Sequence, residues 1–279
     1  MNSILWHIKL LRPLNIIISG VAMIIAAAIM ETIDNIDIVI RVILVVICYT
    51  GAANSMNDII DYNIDLINRP SRPLQLGYVS KKSALIISII LFSAGTFFCL
   101  GLSQEAKVIG IFIAMPMIIL YNKSFKNIPL IGNITVAFIL GLAFLFCGAA
   151  FGRIKYMLIP SLLAFGLNLV RELIKDIADI EGDKSNGIRT FPIVAGINKA
   201  NQLTIFLIGC ISIGSFIPFI NGYYGLLYGV ILIIGVEIPL AVVVVSILNN
   251  PGIKSARYSE KLLKFCNISG LIAIYSGTL

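Results

Sequence analysis

The chain has 279 residues, of which 58% are hydrophobic and only 13% are charged, so most of its surface must face lipid rather than water. Its net charge of +7 comes from short loops between apolar runs, and no basic patch with interleaved aromatic residues supports nucleic-acid binding. A single histidine and five scattered cysteines argue against a histidine triad, a zinc site and a disulfide framework. We therefore predict one transmembrane domain over residues 1–279.

In chain order, apolar runs follow one another along nearly the entire sequence, and a spanning helix needs about 20 such residues. The first run follows two basic residues and could instead be a signal peptide, but further spans come after it rather than a secreted domain. Strand-like alternation is missing, so the predicted fold class is all-α, a polytopic bundle of transmembrane helices. The nine predicted spanning helices are residues 13–31, 37–55, 83–102, 106–122, 132–151, 157–175, 202–220, 223–248 and 262–278.

Basic residues divide unevenly between the two membrane sides that these nine spans define. All but four of the 21 lysines and arginines fall on the side that carries the N-terminus. Because cytoplasmic loops carry the excess of basic residues, we predict a multi-pass protein of the cell membrane with a cytoplasmic N-terminus and an extracytoplasmic C-terminus. The four exceptions are Arg41, Lys107, Arg153 and Lys155.

The second predicted span runs into an acidic stretch on the cytoplasmic side. If the helix continues through it, Asn57, Asp61 and Asp65 fall on one stripe, with Asn54 beside them and Asp58 a quarter turn away. The stripe presents oxygen ligands one turn apart, a spacing suited to Mg²⁺, which takes one or two carboxylates together with waters and substrate phosphates.

The sixth predicted span runs into a second acidic stretch on the same side. Glu172, Asp176, Asp179 and Asp183 share one helical face, and Lys175 lies beside it. Such a stretch could simply be a solvated, charged helix end. However, carboxylates one turn apart repel each other, and two such stretches in a chain with only 14 acids favour a bound cation. Acids close to the membrane are functional by default, so we predict a divalent-metal site.

Further polar residues gather on the cytoplasmic side and could bind a charged substrate. A cationic clamp on a diphosphate needs Lys and Arg of this kind, because they stabilise charge on a leaving phosphate. The alternatives are topology signalling for the lysines and interhelical hydrogen bonds for the asparagines. The predicted substrate-binding residues are Arg12, Asn15, Asn54, Arg69, Arg72, Tyr121, Lys123, Lys126, Asn133 and Lys175.

These motifs resemble those of the UbiA superfamily of intramembrane prenyltransferases, and the resemblance covers essentially the whole chain. Members of that superfamily use Mg²⁺ to transfer a prenyl group from a prenyl diphosphate to a lipophilic acceptor. The resemblance implies nine helices and a central cavity open to the cytoplasmic side. It rests on Asn57-Asp58-x-x-Asp61-x-x-x-Asp65 with the following Arg69-Pro-x-Arg72-Pro-Leu, and on Lys175-Asp176-x-x-Asp179-x-x-Gly182-Asp183.

The same resemblance implies a role for each acidic residue, with one Mg²⁺–diphosphate unit held by each stretch. Glu172 stands where many relatives have aspartate, which keeps the charge but lengthens the side chain. The implied metal ligands are Asn57, Asp61 and Asp65 in the first stretch and Glu172, Asp176, Asp179 and Asp183 in the second. The implied catalytic residues are Asp61, Asp65, Asp176 and Asp179.

Within the superfamily, the second motif is similar to that of the archaeal digeranylgeranylglyceryl phosphate synthases, which form the second ether bond of archaeal membrane lipids. Aromatic prenyltransferases of the homogentisate or hydroxybenzoate type share much of this motif and remain an alternative. An ion-coupled transporter is an alternative of another class, although its carboxylates would lie near the bilayer midplane. The expected cofactor is Mg²⁺. The expected partners are a prenyl diphosphate, a lipid acceptor and membrane lipid, without nucleic acid or an obligate protein partner.

Overall fold

The computed structural model describes residues 3–278, and all regular secondary structure within that range is helical, which confirms the predicted all-α class. Short π-helical stretches interrupt α6 and α12, and single 3₁₀ turns precede α7 and α8. The helices are α1 Ser3–Leu10, α2 Pro13–Ile29, α3 Ile36–Ile60, α4 Tyr62–Asn68, α5 Lys81–Leu100, α6 Gln104–Lys123, α7 Ile131–Ala150, α8 Leu158–Ala178, α9 Ile180–Ser185, α10 Phe191–Ala195, α11 Ile197–Ile220, α12 Leu226–Asn249 and α13 Ile253–Gly277.

Within the described residues, 7 helices are long and apolar enough to cross a membrane: α3, α5, α6, α7, the helix Ile154–Ala178 that contains α8, α11 and α12. Helices α1 and α2 would add an eighth span if the two together count as one, although they meet at a bend of 58°. All nine predicted runs lie on helices, but α13 does not qualify as a span because its first half carries several basic residues and an acid. The structure thus supports a multispanning chain without confirming the ninth span.

The chain separates into two compact units, of which the first comprises residues 1–125, 145–155 and 181–187. Its centre is the packing of α3 against α2 and α5. Two buried serines join α3 to α5: Ser55 Oγ donates to the Ala84 carbonyl at 2.8 Å, and Ser88 Oγ donates to the Ala52 carbonyl at 3.0 Å. Small residues allow this close approach, and the hydroxyl bonds add polar contacts of the kind that hold helices together in lipid.

The N-terminal helix α1 is also anchored in the first unit. The Trp6 ring stacks on Tyr78 with centroids 4.0 Å apart, and Leu10 is fully buried against Leu74 and Val79. Between α1 and α2, Arg12 adopts a left-handed backbone conformation with φ of 56°. This turn and the bend that accompanies it explain why the apolar run beginning at residue 13 does not extend back through α1.

Gly95 on α5 lies close to Tyr49 on α3, and we expect Gly95→Ala to destabilise the protein by about 1–2 kcal/mol. A Cβ at residue 95 would lie 2.6 Å from Cε1 of the buried Tyr49 ring, which would have to move and loosen its hydrogen bond to Thr96. This overlap outweighs the better helix propensity of alanine. The measurement is the midpoint of thermal unfolding in detergent.

The matched control for that substitution is Gly209→Ala on α11, where an added Cβ meets nothing within 4 Å. With no overlap, only the gain in helix propensity remains, so the unfolding midpoint of this variant should stay equal or rise. Equal midpoints for the two variants would show that the α3–α5 contact tolerates a methyl group.

The second unit comprises residues 126–144, 156–180 and 188–279. Helix α8 packs against α11 and α13, and α13 also packs against α12. Asn168 on α8 and Asn267 on α13 exchange two side-chain hydrogen bonds of 3.3 Å, so both amides are paired within the apolar packing. The division into two units leaves the predicted single domain over 1–279 a prediction.

Candidate functional site

The first acidic stretch lies where α3 ends and the short helix α4 begins. Asp61 occupies the junction, so the helix is not continuous through the stretch. The hydrogen-bond ladder nevertheless continues across it, because Asp61 N donates to the Asn57 carbonyl and Asp65 N donates to the Asp61 carbonyl, both at 2.8 Å. The one-turn spacing that the sequence predicts is therefore kept despite the break.

The second acidic stretch has the same local backbone arrangement. Asp179 lies between α8 and the short helix α9, and its N–H donates to the Lys175 carbonyl at 2.9 Å. The φ and ψ angles of −99° and 5° at Asp179 are close to the −82° and 10° of Asp61. Each stretch thus places one aspartate at the end of a long helix, so the two acidic stretches share the same local backbone arrangement.

In the first unit, the carboxylates of this stretch are withdrawn from solvent. Asp61 is 4% exposed and Asp65 is 5% exposed. Asn57 Nδ2 donates to Asp61 Oδ2 at 2.8 Å, so two of the predicted ligands already touch. Arg72 forms an ion pair with Asp65. Burial of a carboxylate is costly unless a cation or hydrogen bonds compensate it, and each of these two has such a neighbour.

Asp58 lies beside the predicted ligands, but the sequence assigned it no role because it lies off the predicted stripe. It is 1% exposed, and its Oδ1 atom accepts hydrogen bonds from both Arg12 and Arg72, the latter at 3.0 Å. Asp58 therefore brings together two arginines that are 60 positions apart in the chain. Two of the predicted substrate-binding residues meet at this one carboxylate.

The charge of Arg72 is maintained against a strong desolvation cost. Burial, followed by the nearby Arg12 guanidinium, lowers the pKa of Arg72 below its ordinary value, while Asp58 and Asp65 raise it. The side chain retains 20% exposure. Arg72 thus combines partial access to solvent with two acidic partners, which fits a cation that helps to bind an anionic group.

The remaining predicted substrate-binding residues of the first unit are spread over several helices. Asn54 Nδ2 on α3 donates to the Leu11 carbonyl at 3.0 Å, which ties α3 to the segment between α1 and α2. Asn15 is half-buried in the first turn of α2, and Arg69 is half-buried at the end of α4. The last two, Tyr121 and Lys123, lie near the end of α6, where Tyr121 is half-buried and Lys123 is exposed.

In the second unit, Asp176 and Asn133 form the contact that the sequence did not specify. Asn133 Nδ2 on α7 donates to Asp176 Oδ2 on α8 at 2.8 Å, so Asn133 orients a predicted metal ligand. One turn earlier, the buried Glu172 forms ion pairs with Arg171 at 3.0 Å and Lys175 at 3.3 Å. Glu172 is thus already compensated by two cations. Lys126 also interacts electrostatically with this glutamate.

The last predicted ligand, Asp183, belongs to the first unit together with the rest of segment 181–187. It is 5% exposed and lies within α9. Its neighbour Gly182 donates its N–H to Asn68 Oδ1 at 3.1 Å. The sequence left Asn68 unnoticed, and this residue joins α4 to segment 181–187, which carries Asp183, although 114 positions separate it from Gly182.

The chemistry of these donors fits Mg²⁺, even though no three His, Cys, Asp or Glu side chains cluster for a metal within the described range. The available groups are carboxylates and amides, which are hard oxygen donors, and Mg²⁺ is commonly bound by one or two carboxylates with the remaining positions filled by water and phosphate. Pairs such as Asn57–Asp61 and Asn133–Asp176 provide such oxygens. The predicted ligand set stays a prediction.

A family model described as the UbiA prenyltransferase family matches residues 16–266. A digeranylgeranylglyceryl phosphate synthase of Pyrococcus furiosus is 35% identical over 98% of this chain and 96% of its own length. The synthase of the same name from Methanosphaera stadtmanae is 34% identical over 97% of both chains. These relatives extend over nearly the whole chain.

Solved structures agree with the sequence relatives. One from a study of digeranylgeranylglyceryl phosphate synthase in membranes has a TM-score of 0.79 at 30% identity and covers 100% of this chain and 99% of that chain. A UbiA homolog from Archaeoglobus fulgidus, bound to GPP and Mg²⁺, has a TM-score of 0.60 at 14% identity, with 98% of both chains covered. The latter similarity establishes a shared fold alone.

Proposed function

This chain belongs to the UbiA prenyltransferase family, and from that premise we propose that it transfers a geranylgeranyl group from geranylgeranyl diphosphate to the free hydroxyl of geranylgeranylglyceryl phosphate. The product would carry the second ether bond of archaeal membrane lipids. The observation that carries the proposal is the near-complete coverage by relatives named digeranylgeranylglyceryl phosphate synthase. As a multi-pass membrane prenyltransferase, the chain is not the ion-coupled transporter that intramembrane acids alone could suggest.

We further propose that Mg²⁺ is the cofactor, because the acidic stretches offer oxygen donors that suit it. The residues that would hold it are Asn57, Asp61 and Asp65 in the first stretch and Glu172, Asp176, Asp179 and Asp183 in the second. Mg²⁺ bound there would neutralise diphosphate charge and thereby ease its departure. Because Glu172 forms ion pairs with Arg171 and Lys175, Mg²⁺ would compete with these two protein cations for that glutamate.

The proposed role of the basic residues is to hold the diphosphate end of the substrate. Arg72 and Arg12 are fixed by Asp58, so their guanidinium groups lose little side-chain entropy when an anion binds. Further positive charge on the same membrane side would come from Arg69, Lys123, Lys126 and Lys175. Guanidinium groups suit this task because their planar forks match phosphate oxygens.

In the proposed reaction, the allylic C–O bond breaks and the diphosphate leaves with the electron pair. The acceptor hydroxyl oxygen then forms the new C–O bond and loses its proton to a carboxylate of Asp61, Asp65, Asp176 or Asp179, or to the departing diphosphate. An alcohol can trap an allylic cation with little prior deprotonation, so no histidine base is needed. Apolar helix faces would exclude water that could otherwise capture the cation.

For the membrane arrangement, we propose nine spans with a cytoplasmic N-terminus, an extracytoplasmic C-terminus and a central cavity open to the cytoplasm. The uneven distribution of basic residues supports this orientation. The ninth span would be the predicted run 262–278, most of which lies in α13. The part of α13 before this run, which includes Lys254 and Arg257, would lie at the membrane surface, where such side chains reach the lipid headgroups.

An acceptor panel tests the proposed reaction. The purified protein is incubated with Mg²⁺ and radiolabelled geranylgeranyl diphosphate, and geranylgeranylglyceryl phosphate, homogentisate and 4-hydroxybenzoate are offered in separate reactions. We expect a labelled product with the glyceryl phosphate alone. Product on an aromatic ring would overturn the acceptor assignment and support the aromatic alternative, which shares the Lys-Asp…Asp…Gly-Asp pattern.

A further inference from the structure

Asn68 connects the first acidic motif with the second inside the first unit. It is the last residue of α4, and its Oδ1 atom accepts the N–H of Gly182 at 3.1 Å. Gly182 lies in the first turn of α9, where a backbone N–H has no partner within its own helix. The Asn68 side chain therefore supplies a hydrogen-bond acceptor that α9 cannot provide for itself.

The carbonyl of Gly182 is held as well. It accepts hydrogen bonds from Ser185 Oγ and Asn186 Nδ2, both at 2.9 Å. The N–H of this buried residue is thus bonded to a side chain of α4, and its carbonyl is bonded to side chains at the end of α9. Gly182, which immediately precedes Asp183, is therefore held at both its N–H and its carbonyl.

The missing side chain of Gly182 leaves room for the Asn68 amide. A Cβ there would overlap the Cγ, Oδ1 and Nδ2 atoms of Asn68. The φ of Gly182 lies outside the left-handed region, so its backbone conformation would accept another residue if the neighbour were smaller. The close approach of Asn68 is therefore what excludes a side chain.

We infer that Asn68 is a positioning residue that fixes Asp183 relative to the first acidic motif by holding Gly182. Asp65 precedes Asn68 by one helical turn, and Asp183 directly follows Gly182; both carboxylates are 5% exposed. A shift of the α4–α9 contact would move these two proposed Mg²⁺ ligands apart. The inference rests on the proposed function, because it assumes that both carboxylates serve the same reaction.

A double-mutant cycle of Asn68→Ala and Gly182→Ala tests the inference, with Asn63→Ala on the exposed face of α4 as the matched control. Two readouts are measured: the Mg²⁺ concentration that gives half-maximal transfer, and the rise in thermal midpoint when Mg²⁺ and inorganic pyrophosphate are added to substrate-free protein. We expect Asn68→Ala to raise the required Mg²⁺ concentration about tenfold, as is typical for the loss of a partner that orients a ligand.

The cycle should also show strong coupling. Gly182→Ala alone should be at least as harmful as Asn68→Ala, whereas the double variant should be no worse than Asn68→Ala, because the overlap is gone. Additive effects would overturn the proposed contact. A lower midpoint with an unchanged Mg²⁺ requirement would leave Asn68 a purely structural residue and would also overturn the inference, as would equal effects of Asn63→Ala.

Failure of the proposed function gives a different result. In that case the wild-type protein would transfer no prenyl group to any acceptor. The thermal unfolding midpoints of the two single variants, the double variant and the Asn63→Ala control, all measured without substrate, would still test the contact between Asn68 and Gly182. A wild-type enzyme that is active, together with an additive cycle, would remove the role of Asn68 and leave the prenyl transfer in place.

Discussion

Asp61→Ala and Asp176→Ala should each reduce prenyl transfer by about 100-fold or more, which corresponds to about 2.7 kcal/mol of lost transition-state stabilisation. Asp61 accepts a hydrogen bond from Asn57, and Asp176 accepts one from Asn133. Each carboxylate is therefore held in place before any ligand binds. Each substitution would remove one proposed Mg²⁺ ligand and raise the barrier to departure of the diphosphate. The measurement is the initial rate of transfer of radiolabelled geranylgeranyl at saturating Mg²⁺.

The matched control is Glu181→Ala, which removes an exposed carboxylate located between Asp179 and Asp183 in the second stretch. Because Glu181 is solvated, its loss changes the local charge by the same amount without removing a proposed ligand. Transfer by this variant should remain within about twofold of wild type, since a solvated charge is well screened. Retained transfer in both Asp61→Ala and Asp176→Ala would contradict the proposed metal-binding role.

The spanning helices could be predicted closely where apolar runs are long and sharply bounded. Residues 83–102 correspond to α5 at Lys81–Leu100, and residues 132–151 correspond to α7 at Ile131–Ala150. Composition determines these elements because an apolar segment in lipid must satisfy its own backbone, and a helix does so locally. Hydropathy is therefore enough to locate them without knowledge of their neighbours.

Polar helical segments were harder to predict because hydropathy does not mark them. Helix α13 begins at Ile253, well before the predicted residue 262, since its first half is a helix with basic side chains. The breaks at Asp61 and Asp179 were also missed, because spacing of one turn per carboxylate is equally compatible with an unbroken helix. Such boundaries depend on tertiary packing, which a single sequence does not display.

In the site, as in the fold, the sequence predicted which residues share a helix face but not which residues they contact. Spacing placed Asn57, Asp61 and Asp65 on one face, and the structure retains that spacing through backbone hydrogen bonds. The spacing gave no indication that Asp58 pairs with Arg12 or that Gly182 donates to Asn68, because those contacts join residues 46 and 114 positions apart. A periodic pattern specifies which side chains share a surface, whereas long-range packing decides what they meet.

Asp58→Ala should lower the free energy of unfolding by about 3 kcal/mol, because it removes the buried partner of two arginines. Asp58 is 1% exposed, and its Oδ1 atom is shared by Arg12 and Arg72. Arg72 would keep its ion pair with Asp65, which limits the loss, whereas Arg12 would lose its ion pair with Asp58. The measurement is the midpoint of thermal unfolding in detergent, without substrate or Mg²⁺.

The control for Asp58→Ala is Asp37→Ala, which also removes the acidic partner of an arginine. Asp37 bonds Arg41 at 2.8 Å, but its side chain is 75% exposed, and water can replace it at little cost. Its loss should leave the midpoint unchanged. If the two variants behaved alike, Asp58 would not anchor Arg12 and Arg72. A large loss confined to Asp58→Ala would instead show that this buried carboxylate, which lies off the predicted metal-ligand stripe, holds both arginines in place.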